Sequence, residues 1–269
     1  MINTIVAGAS GRMGKRIINM IHQSHEITLV GAFERSDHPG VNKDAGEVAG
    51  VGRLGITIAG SLEEVIDQGA VLIDFTAPES TLKNMRSGAS QGLAMVIGTT
   101  GITGNMLEEA ESLARKTRCV MAPNMSVGVN VMFKIAGEMA RILGNAYDME
   151  ILEAHHRLKK DAPSGTALRL GRILADNVGR DLEKVGRLER KGIIGERTPD
   201  EIGIQALRAG DIAGEHTVMF GGIGERLELT HRAHNRDNFA RGALMAAQWV
   251  KKQPHGLYDM QDVLGLAEK

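Results

Sequence analysis

A glycine-rich turn near the N-terminus constrains the fold of this chain more than any other feature. The apolar run Thr4-Ile-Val-Ala7 leads into Gly8-Ala-Ser-Gly11-Arg-Met-Gly14, and isoleucines at helical spacing follow. This pattern predicts a strand, a tight turn and a helix, because glycines permit the turn and let the backbone approach a bound group. Two residues rather than one separate the first two glycines, a departure from the commonest dinucleotide fingerprint. The turn can still hold a pyrophosphate at the helix N-terminus.

A second predicted strand, Ile27–Phe33, ends at Glu34 and Arg35. These residues lie about twenty positions beyond the turn, where a ribose-binding carboxylate is expected. Glu34 can accept hydrogen bonds from the ribose hydroxyls of NAD, and Arg35 can pair with the additional phosphate of NADP. Because both side chains are present, we expect the chain to accept either NADH or NADPH.

Further apolar runs predict more strands, and they alternate with helical segments that begin near residues 78 and 103. Such alternation is typical of a parallel sheet with helices on both faces, whose ligands lie beyond the carboxyl ends of the strands. The segments that follow these strands should therefore share one rim. Residues 40–60 are rich in glycine without periodicity, and we interpret them as a surface excursion rather than a packed element. The predicted strands are residues 71–75, 93–97 and 119–122, and the rim segments are residues 76–78, 98–101 and 122–125.

The pattern changes after Asn124, where a long helical segment is followed by strands that crowd together without intervening helices. Crowded strands imply a mixed or antiparallel sheet and therefore a second domain. A last helix, residues 238–252, carries an apolar stripe that can pack back on the first domain. The elements of the second domain are predicted at residues 127–143, 148–154, 165–178, 202–207, 216–220 and 226–230.

The fold class that we predict is α/β with two domains. Residues 1–126 form a Rossmann-type, parallel-sheet dinucleotide-binding domain. Residues 127–235 form an α+β domain on a mixed or antiparallel sheet, where we expect substrate to bind. Residues 236–269 form a C-terminal helix and tail that return to the dinucleotide-binding domain.

One stretch of the second domain gathers proton carriers and cations: Glu153-Ala-His-His-Arg-Leu-Lys-Lys-Asp-Ala-Pro-Ser-Gly-Thr-Ala167. If the predicted strand extends through His155 and His156, their side chains point to opposite faces and have different roles. Ser164 occupies an N-cap position, so the backbone N–H groups that follow it can bind an anion such as a carboxylate. Lys159 or Lys160 can add a full positive charge beside this anion site. The alternative is a solvated basic loop before a capped helix.

Composition limits the partners that the chain can have. The 269 residues carry a formal net charge of −1 without a block of one sign, so neither a nucleic acid nor an anionic membrane is expected, and a small molecule is favoured. No apolar run approaches a membrane span, and the N-terminal run enters the glycine turn rather than a cleavage site, so we expect a cytoplasmic protein. Cys119 lies in an apolar run and is interpreted as a buried structural thiol. No metal site is predicted.

Several motifs together resemble those of the bacterial 4-hydroxy-tetrahydrodipicolinate (dihydrodipicolinate) reductase family of lysine biosynthesis by the diaminopimelate route. The segment from Glu153 to Ala167 is the most specific, and the resemblance covers nearly the whole chain. The other motifs are Gly8-Ala-Ser-Gly-Arg-Met-Gly14, Asp74-Phe-Thr-Ala-Pro-Glu79, Gly98-Thr-Thr-Gly101, Ala122-Pro-Asn-Met-Ser-Val-Gly-Val-Asn130, Gly214-Glu-His216 and Thr230-His-Arg-Ala233.

The resemblance implies reduction, by NADH or NADPH, of a cyclic imine with two carboxylates that forms when the hydroxylated precursor loses water. It implies that His155 is the acid/base, that Lys159 is the catalytic proton donor, and that the protein is a homotetramer built through the second domain's sheet. The implied substrate contacts are His156, Gly165 and Thr166. The implied cofactor contacts are Gly8, Ala9, Ser10, Gly11, Arg12, Met13, Glu34, Arg35, Gly98, Thr99, Thr100, Ala122, Pro123, Asn124 and Met125.

Two other functions compete with this one. A two-domain oxidoreductase acting on sugars usually carries a Glu-Lys-Pro segment after the cofactor rim, and this sequence has no such tripeptide; a semialdehyde is another possible substrate class. A redox-sensing module that holds NADPH without turnover would not require His155 and Lys159 beside an anion-binding helix start. An assay of cofactor oxidation with the dicarboxylate imine as substrate separates these alternatives.

Overall fold

A computed structural model describes residues 1–267 and divides the chain into two compact units. The first unit contains Met1–Val127 together with the segment from Arg236 onward, and the second contains Gly128–Asn235. Strands and helices of the first unit alternate up to Met121, as the sequence predicts. These elements are β1 (Ile2–Ala7), α1 (Arg12–His22), β2 (Ile27–Phe33), α2 (Ala45–Ala49), β3 (Ile58–Ala59), a 3-10 turn (Ile66–Gln68), β4 (Val71–Asp74), α3 (Pro78–Ser90), β5 (Ala94–Ile97), α4 (Asn105–Arg115) and β6 (Arg118–Met121).

The second unit is a sheet with helices packed against it, and the chain then returns to the first unit. The elements of the second unit follow, and the first of them begins at the last residue of the first unit. They are α5 (Val127–Leu143), a 3-10 turn (Gly144–Ala146), β7 (Asp148–His155), α6 (Gly165–Asn177), α7 (Leu182–Val185), β8 (Gly186–Arg187), β9 (Ile202–Arg208), β10 (Gly214–Gly222) and β11 (Glu225–Ala233). The returning segment contains α8 (Asp237–Val250), β12 (Gly256–Tyr258) and α9 (Met260–Val263).

The first unit has a seven-stranded sheet in the order β12-β6-β5-β4-β1-β2-β3, and every pairing in it is parallel. Its central strands are buried on both faces, because successive side chains alternate between faces and helices cover each one. Ile73 and Val96 pack with α1 and α8, whereas Leu72 and Met95 pack with α3 and α4. This parallel sheet confirms the predicted Rossmann-type architecture. Helix α8 contacts α1 and the central strands of this sheet.

The prediction for residues 40–60 was wrong in part, because the segment contributes to the core. Ala45 and Ile58 are fully buried, and β3 pairs with β2. The organising contact is the carboxylate of Asp44, which accepts hydrogen bonds from the backbone N–H groups of four residues: Gly46, Glu47, Leu54 and Gly55. A loop built around one side chain has no periodic pattern, so hydrophobic spacing could not reveal it.

The sheet of the second unit is mixed, as predicted, with the strand order β11-β10-β7-β9-β8. Strand β7 is parallel to β9 and antiparallel to β10. Ile151 faces the core formed with α5 and α6, so Glu153 and His155, two and four positions further along β7, share that face. The register places His216 of β10 opposite Glu153, and Arg208 of β9 opposite His155.

Candidate functional site

A cavity of about 700 Å³ lies in the first unit, where β1, β2 and β4 end. Ligands of parallel sheets bind at this edge. Its lining includes four of the predicted cofactor contacts, namely Gly8, Gly11, Glu34 and Arg35. Phe33, Thr76 and Lys83 also line it. The volume and the mixed apolar and polar lining fit part of a dinucleotide.

The glycines of the turn are required by contacts as well as by backbone angle. Gly8 has φ +64°, and a Cβ there would lie 2.8 Å from Cγ2 of Thr76. A Cβ on Gly14 would lie 2.1 Å from the carbonyl oxygen of Gly8. Helix α1 begins at Arg12 without a side-chain hydrogen bond to its first turn. The turn therefore presents backbone N–H groups at a helix start, an arrangement suited to a pyrophosphate.

Glu34, predicted to bind the ribose hydroxyls, and Arg35, predicted to pair with the additional phosphate of NADP, are placed differently. Glu34 is partly buried and its Oε1 accepts a hydrogen bond from the backbone N–H of Ser10 at 2.9 Å, which ties the end of β2 to the glycine turn. The Arg35 side chain is 71% exposed, and its Nε lies 3.6 Å from Oδ1 of Asp37. This pair with Asp37 is solvent-exposed, so it contributes little to stability and leaves the Arg35 guanidinium available.

The remaining predicted cofactor contacts belong to the same unit. Ala9 and Ser10 lie in the glycine turn, and Arg12 and Met13 open α1; residues 98–100 follow β5 and residues 122–125 follow β6. Sequence reasoning missed the buried carboxylate of Asp74, at the end of β4, as the organiser of this rim. It accepts hydrogen bonds from the backbone N–H of Thr76 at 2.8 Å, from Asn84 Nδ2 at 2.7 Å and from Thr81 Oγ1 at 3.1 Å. Thr81 in turn contacts Thr99 at 2.7 Å.

The second unit carries a cluster centred on Glu153, whose side chain is buried. Its Oε2 lies 2.6 Å from Nδ1 of His155, and Oε1 accepts the backbone N–H of Ser164 at 3.0 Å. Arg208 donates to both oxygens, at 2.9 Å and 2.8 Å. Burial alone raises the pKa of Glu153, but the hydrogen bonds from His155, Arg208 and Ser164 outweigh it and hold the pKa at about 2. The carboxylate is therefore ionised at neutral pH.

His216 is packed against His155 in this cluster. The two rings meet edge to face with their centroids 5.2 Å apart, and Nε2 of His216 lies 3.1 Å from Oγ of Ser164. Burial, together with the nearby His155, lowers the pKa of His216 to about 3. His216 is therefore neutral at neutral pH.

Helix α6 begins beside this cluster. Ser164 is its N-cap, as predicted, and the Ser164 hydroxyl accepts the backbone N–H of Ala167 at 3.2 Å. Gly165 and Thr166 form the first turn. Lys159 is four-fifths buried with Nζ 2.9 Å from Oδ1 of Asp161, so part of its charge is already compensated.

The other predicted side chains of this segment lie near the end of β7. His156 follows the end of the strand, and its carbonyl accepts the backbone N–H of Lys159 at 3.1 Å. Lys160 is exposed. Sequence reasoning missed Arg208 and left Glu153 and His216 without roles, although both stood in the motifs. Cys119 is fully buried, and burial raises the pKa of its thiol.

Two negative findings apply to residues 1–267. Over this range, His, Cys, Asp and Glu side chains form no group of three or more suited to hold a metal ion. In the same part of the chain, no helix is both long and apolar enough to cross a membrane.

A parallel sheet with a glycine turn, joined to a unit that carries a carboxylate-bound histidine, defines the class of two-domain, dinucleotide-dependent oxidoreductases. Comparison with known proteins narrows this class. The N-terminal family description of dihydrodipicolinate reductase matches residues 2–125, and the C-terminal one matches residues 128–264. The chain belongs to the dihydrodipicolinate reductase family, whose members are pyridine-nucleotide-dependent oxidoreductases of lysine and diaminopimelate biosynthesis.

Individual relatives agree with the family match. A 4-hydroxy-tetrahydrodipicolinate reductase of Syntrophus aciditrophicus is 55% identical over 98% of this chain and 99% of the relative. One from Syntrophobacter fumaroxidans is 53% identical over 99% of this chain and 100% of the relative. Among solved structures, a dipicolinate-bound dihydrodipicolinate reductase from Paenisporosarcina sp. TG-14 superposes with a TM-score of 0.76 at 26% identity, covering 97% of this chain and 98% of that one.

Proposed function

We propose that this chain uses NADH or NADPH to reduce 4-hydroxy-tetrahydrodipicolinate, through its dehydrated cyclic imine, to tetrahydrodipicolinate. The relatives that carry this name span the whole chain. The observation that carries the proposal is the contact of His155 with the ionised Glu153 beside the start of α6. The arrangement places a proton carrier next to a candidate carboxylate site, and the substrate requires both.

The cofactor supplies hydride when it is bound, and the residues of this chain must manage the protons and charges. Reduction of the conjugated imine leaves an enamine, which must gain a proton. A histidine suits that transfer near neutral pH, and we propose His155 for it. We propose that Lys159 donates a proton to the ring nitrogen as hydride arrives and stabilises the charge that develops there, and that the nitrogen releases this proton again when the ring carbon is protonated, so that one hydride and one proton are added in all.

We propose that the substrate carboxylate is bound by the start of α6, at Gly165 and Thr166, with His156 as a further contact. The backbone N–H groups and the helix dipole at this position favour an anion. Lys159→Ala should weaken a planar aromatic dicarboxylate inhibitor that competes with substrate, and should also lower kcat. Lys160→Ala is the matched control, because that side chain is exposed. If the two variants have equal effects, the segment is a diffuse basic surface and not a specific anion site.

We propose that the first unit accepts both cofactors. Glu34 still has Oε2 to accept from a ribose hydroxyl, and Arg35 is exposed enough to pair with the additional phosphate of NADPH. Arg35→Ala should weaken NADPH binding selectively, by roughly 1.5 to 3 kcal/mol for charged hydrogen bonds. The same change at Arg53, another exposed arginine, is the control. An equal loss for NADH would show that Arg35 does not read the phosphate.

We propose that the protein is a homotetramer built through the sheet of the second unit. Leu152 and Leu207 support this, because they lie on the face of the sheet opposite the helices and are 37% and 58% exposed. A Leu207→Glu variant should shift the mass in solution toward smaller species. A tetramer unaffected by this change would place the interface elsewhere. The expectation of a cytoplasmic location stays a prediction, which cell fractionation tests.

The direct test of the function is an assay of nicotinamide oxidation with purified chain and 4-hydroxy-tetrahydrodipicolinate. Substrate-dependent oxidation of NADH and NADPH is expected, with competitive inhibition against substrate by a planar aromatic dicarboxylate. Absence of substrate-dependent oxidation with either cofactor would overturn the proposal. Cofactor binding without turnover would favour a redox-sensing module instead.

A further inference from the structure

The carboxylate of Glu153 is saturated with hydrogen bonds, and each donor is held by a different element. Oε2 faces Nδ1 of His155 on β7 and Nη1 of Arg208 on β9, at 2.6 Å and 2.9 Å. Oε1 accepts from Nη2 of Arg208 and from the backbone N–H of Ser164, at 2.8 Å and 3.0 Å. A carboxylate has about four acceptor sites, and all four are used here. The carboxylate therefore cannot rotate without breaking several of these bonds.

The charge state of Glu153 determines which atom of His155 carries a proton. The bidentate guanidinium and the Ser164 N–H both favour an ionised carboxylate, in agreement with the lowered pKa. An ionised carboxylate only accepts hydrogen bonds. The contact at 2.6 Å therefore requires a proton on Nδ1 of His155.

We propose that Glu153 and Arg208 are positioning residues that keep the proton of His155 on Nδ1, which leaves Nε2 as the ring atom that exchanges a proton with substrate. This inference rests on the proposed function for the identity of the substrate. The tautomer itself does not depend on that identity. Arg208 acts through Glu153, because its two donors fix the plane of the carboxylate that His155 faces.

The surroundings of Nε2 agree with this role. A Cβ at Gly214, the first residue of β10, would lie 3.1 Å from Nε2 of His155, so a larger residue there would crowd this atom. His216 packs edge to face against the His155 ring and is held by Ser164. Glu153 therefore orients the His155 ring at Nδ1, and His216 holds it on one side. Gly214 leaves space beside Nε2.

A purely structural role for the Arg208–Glu153 pair is the alternative, since it joins β7, β9 and the start of α6. Glu153→Gln separates the two roles. Its carbonyl oxygen should take the place of Oε1, which accepts from Ser164 and from Nη2 of Arg208. Its NH₂ then takes the place of Oε2, faces Nδ1 of His155 and loses the hydrogen bond from Nη1 of Arg208. An amide N–H beside Nδ1 needs an acceptor, and Nδ1 of His155 accepts only when it carries no proton. Glu153→Gln therefore favours the neutral ring that is protonated on Nε2.

The decisive readout is the nitrogen NMR spectrum of histidine-labelled protein, with the His155 signal assigned by its loss in His155→Gln. Wild-type protein is expected to show the Nδ1–H tautomer, and Glu153→Gln the Nε2–H tautomer. The kcat of Glu153→Gln should fall by about two orders of magnitude or more, because the ring then holds its proton on the wrong nitrogen for general acid–base catalysis. KM and the NADPH dissociation constant should change much less, because neither depends on proton transfer.

Glu150→Gln is the matched control, because Glu150 lies on the same strand and, like Glu153, is held by arginine side chains, in its case those of Arg190 and Arg197. It should leave the His155 tautomer and kcat unchanged. An unchanged kcat in a folded Glu153→Gln protein would overturn the proposal. So would a neutral wild-type ring protonated on Nε2, a result that needs no variant to fold and no turnover. If wild-type protein shows the Nδ1–H tautomer but no substrate-dependent oxidation, the proposed function fails and the positioning geometry stands.

Discussion

His216 should make the stability of this protein fall as the pH is lowered through the weakly acid range. The ring is 4% exposed, and its pKa falls from 6.5 in an unfolded chain to about 3, first because of burial and then because of His155. Glu153, His231 and Lys159 contribute smaller effects. Between these two pKa values the unfolded chain binds a proton that the folded chain does not. The stability that the folded state gains from a neutral His216 is therefore complete above pH 6.5 and is lost progressively as the pH falls toward 3.

The size of this loss of stability follows from the single proton that His216 binds in the unfolded chain. Each pH unit in this range costs roughly 1.4 kcal/mol, so lowering the pH from 6.5 to about 5 removes on the order of 2 kcal/mol of the free energy of unfolding. His216→Gln cannot titrate but keeps a polar atom for Ser164. The variant should be somewhat less stable at neutral pH, because the amide packs less well. Its free energy of unfolding should also change less steeply with pH, and the difference in slope from wild type should correspond to about one bound proton.

Urea unfolding followed by circular dichroism at several pH values measures this slope. The single tryptophan, Trp249, lies in the first unit, so its fluorescence would report on the wrong part of the chain. His25→Gln is the control, because His25 is exposed and the same change there should leave the slope intact. Equal slopes for wild type and His216→Gln would refute the reasoning, since they would mean that the buried ring accepts a proton at its ordinary pKa.

The remaining predictions concern the nucleotide rim and the start of α6. Asp74→Asn should lower the free energy of unfolding by about 1 to 3 kcal/mol and weaken cofactor binding, because an amide cannot accept from all of the buried donors. Urea unfolding measures the first effect and a cofactor titration the second. If both match wild type, Asp74 does not organise the rim. Gly14→Ala should abolish measurable NADPH binding, because its Cβ would lie 2.1 Å from the carbonyl oxygen of Gly8; a dissociation constant near that of wild type would contradict the geometry. In the part of the chain that the structure describes, no atom lies within 4 Å of the Cβ that Gly165→Ala adds, so this variant should fold normally and yet raise KM; an unchanged KM would move the carboxylate site away from Gly165.

Periodic segments and capped turns were predictable because local chemistry determines them. The hydrophobic spacing predicted α5 with the limits that the structure has, Val127 and Leu143. Ser164 was recognised as an N-cap because serine before a helical stripe has few other local roles. The glycine turn was predicted because glycine is the residue that φ values such as +64° at Gly8 favour.

Contacts between distant strands were not predictable from the sequence. Arg208 meets Glu153 across 55 positions because β9 pairs parallel with β7 in one register, and neither the pairing nor the register has a local signal. Strand β12 was missed because three residues, Gly256–Tyr258, are too few for a recognisable alternation. Asp74 looked like the end of an apolar run, and its donors became visible only when α3 and the loop after β5 were in place.

The turnover of His155→Gln, measured as cofactor oxidation with saturating substrate, tests the central claim most directly. The account predicts a kcat lowered by about two orders of magnitude, the usual scale for a lost general acid, with little change in the NADPH dissociation constant. His156→Ala, the neighbouring residue, should act mainly through KM, because a substrate contact made equally in the ground and transition states leaves kcat unchanged. Near-normal turnover of His155→Gln would remove His155 from the mechanism, and a loss confined to kcat in His156→Ala would show that the two histidines have exchanged roles.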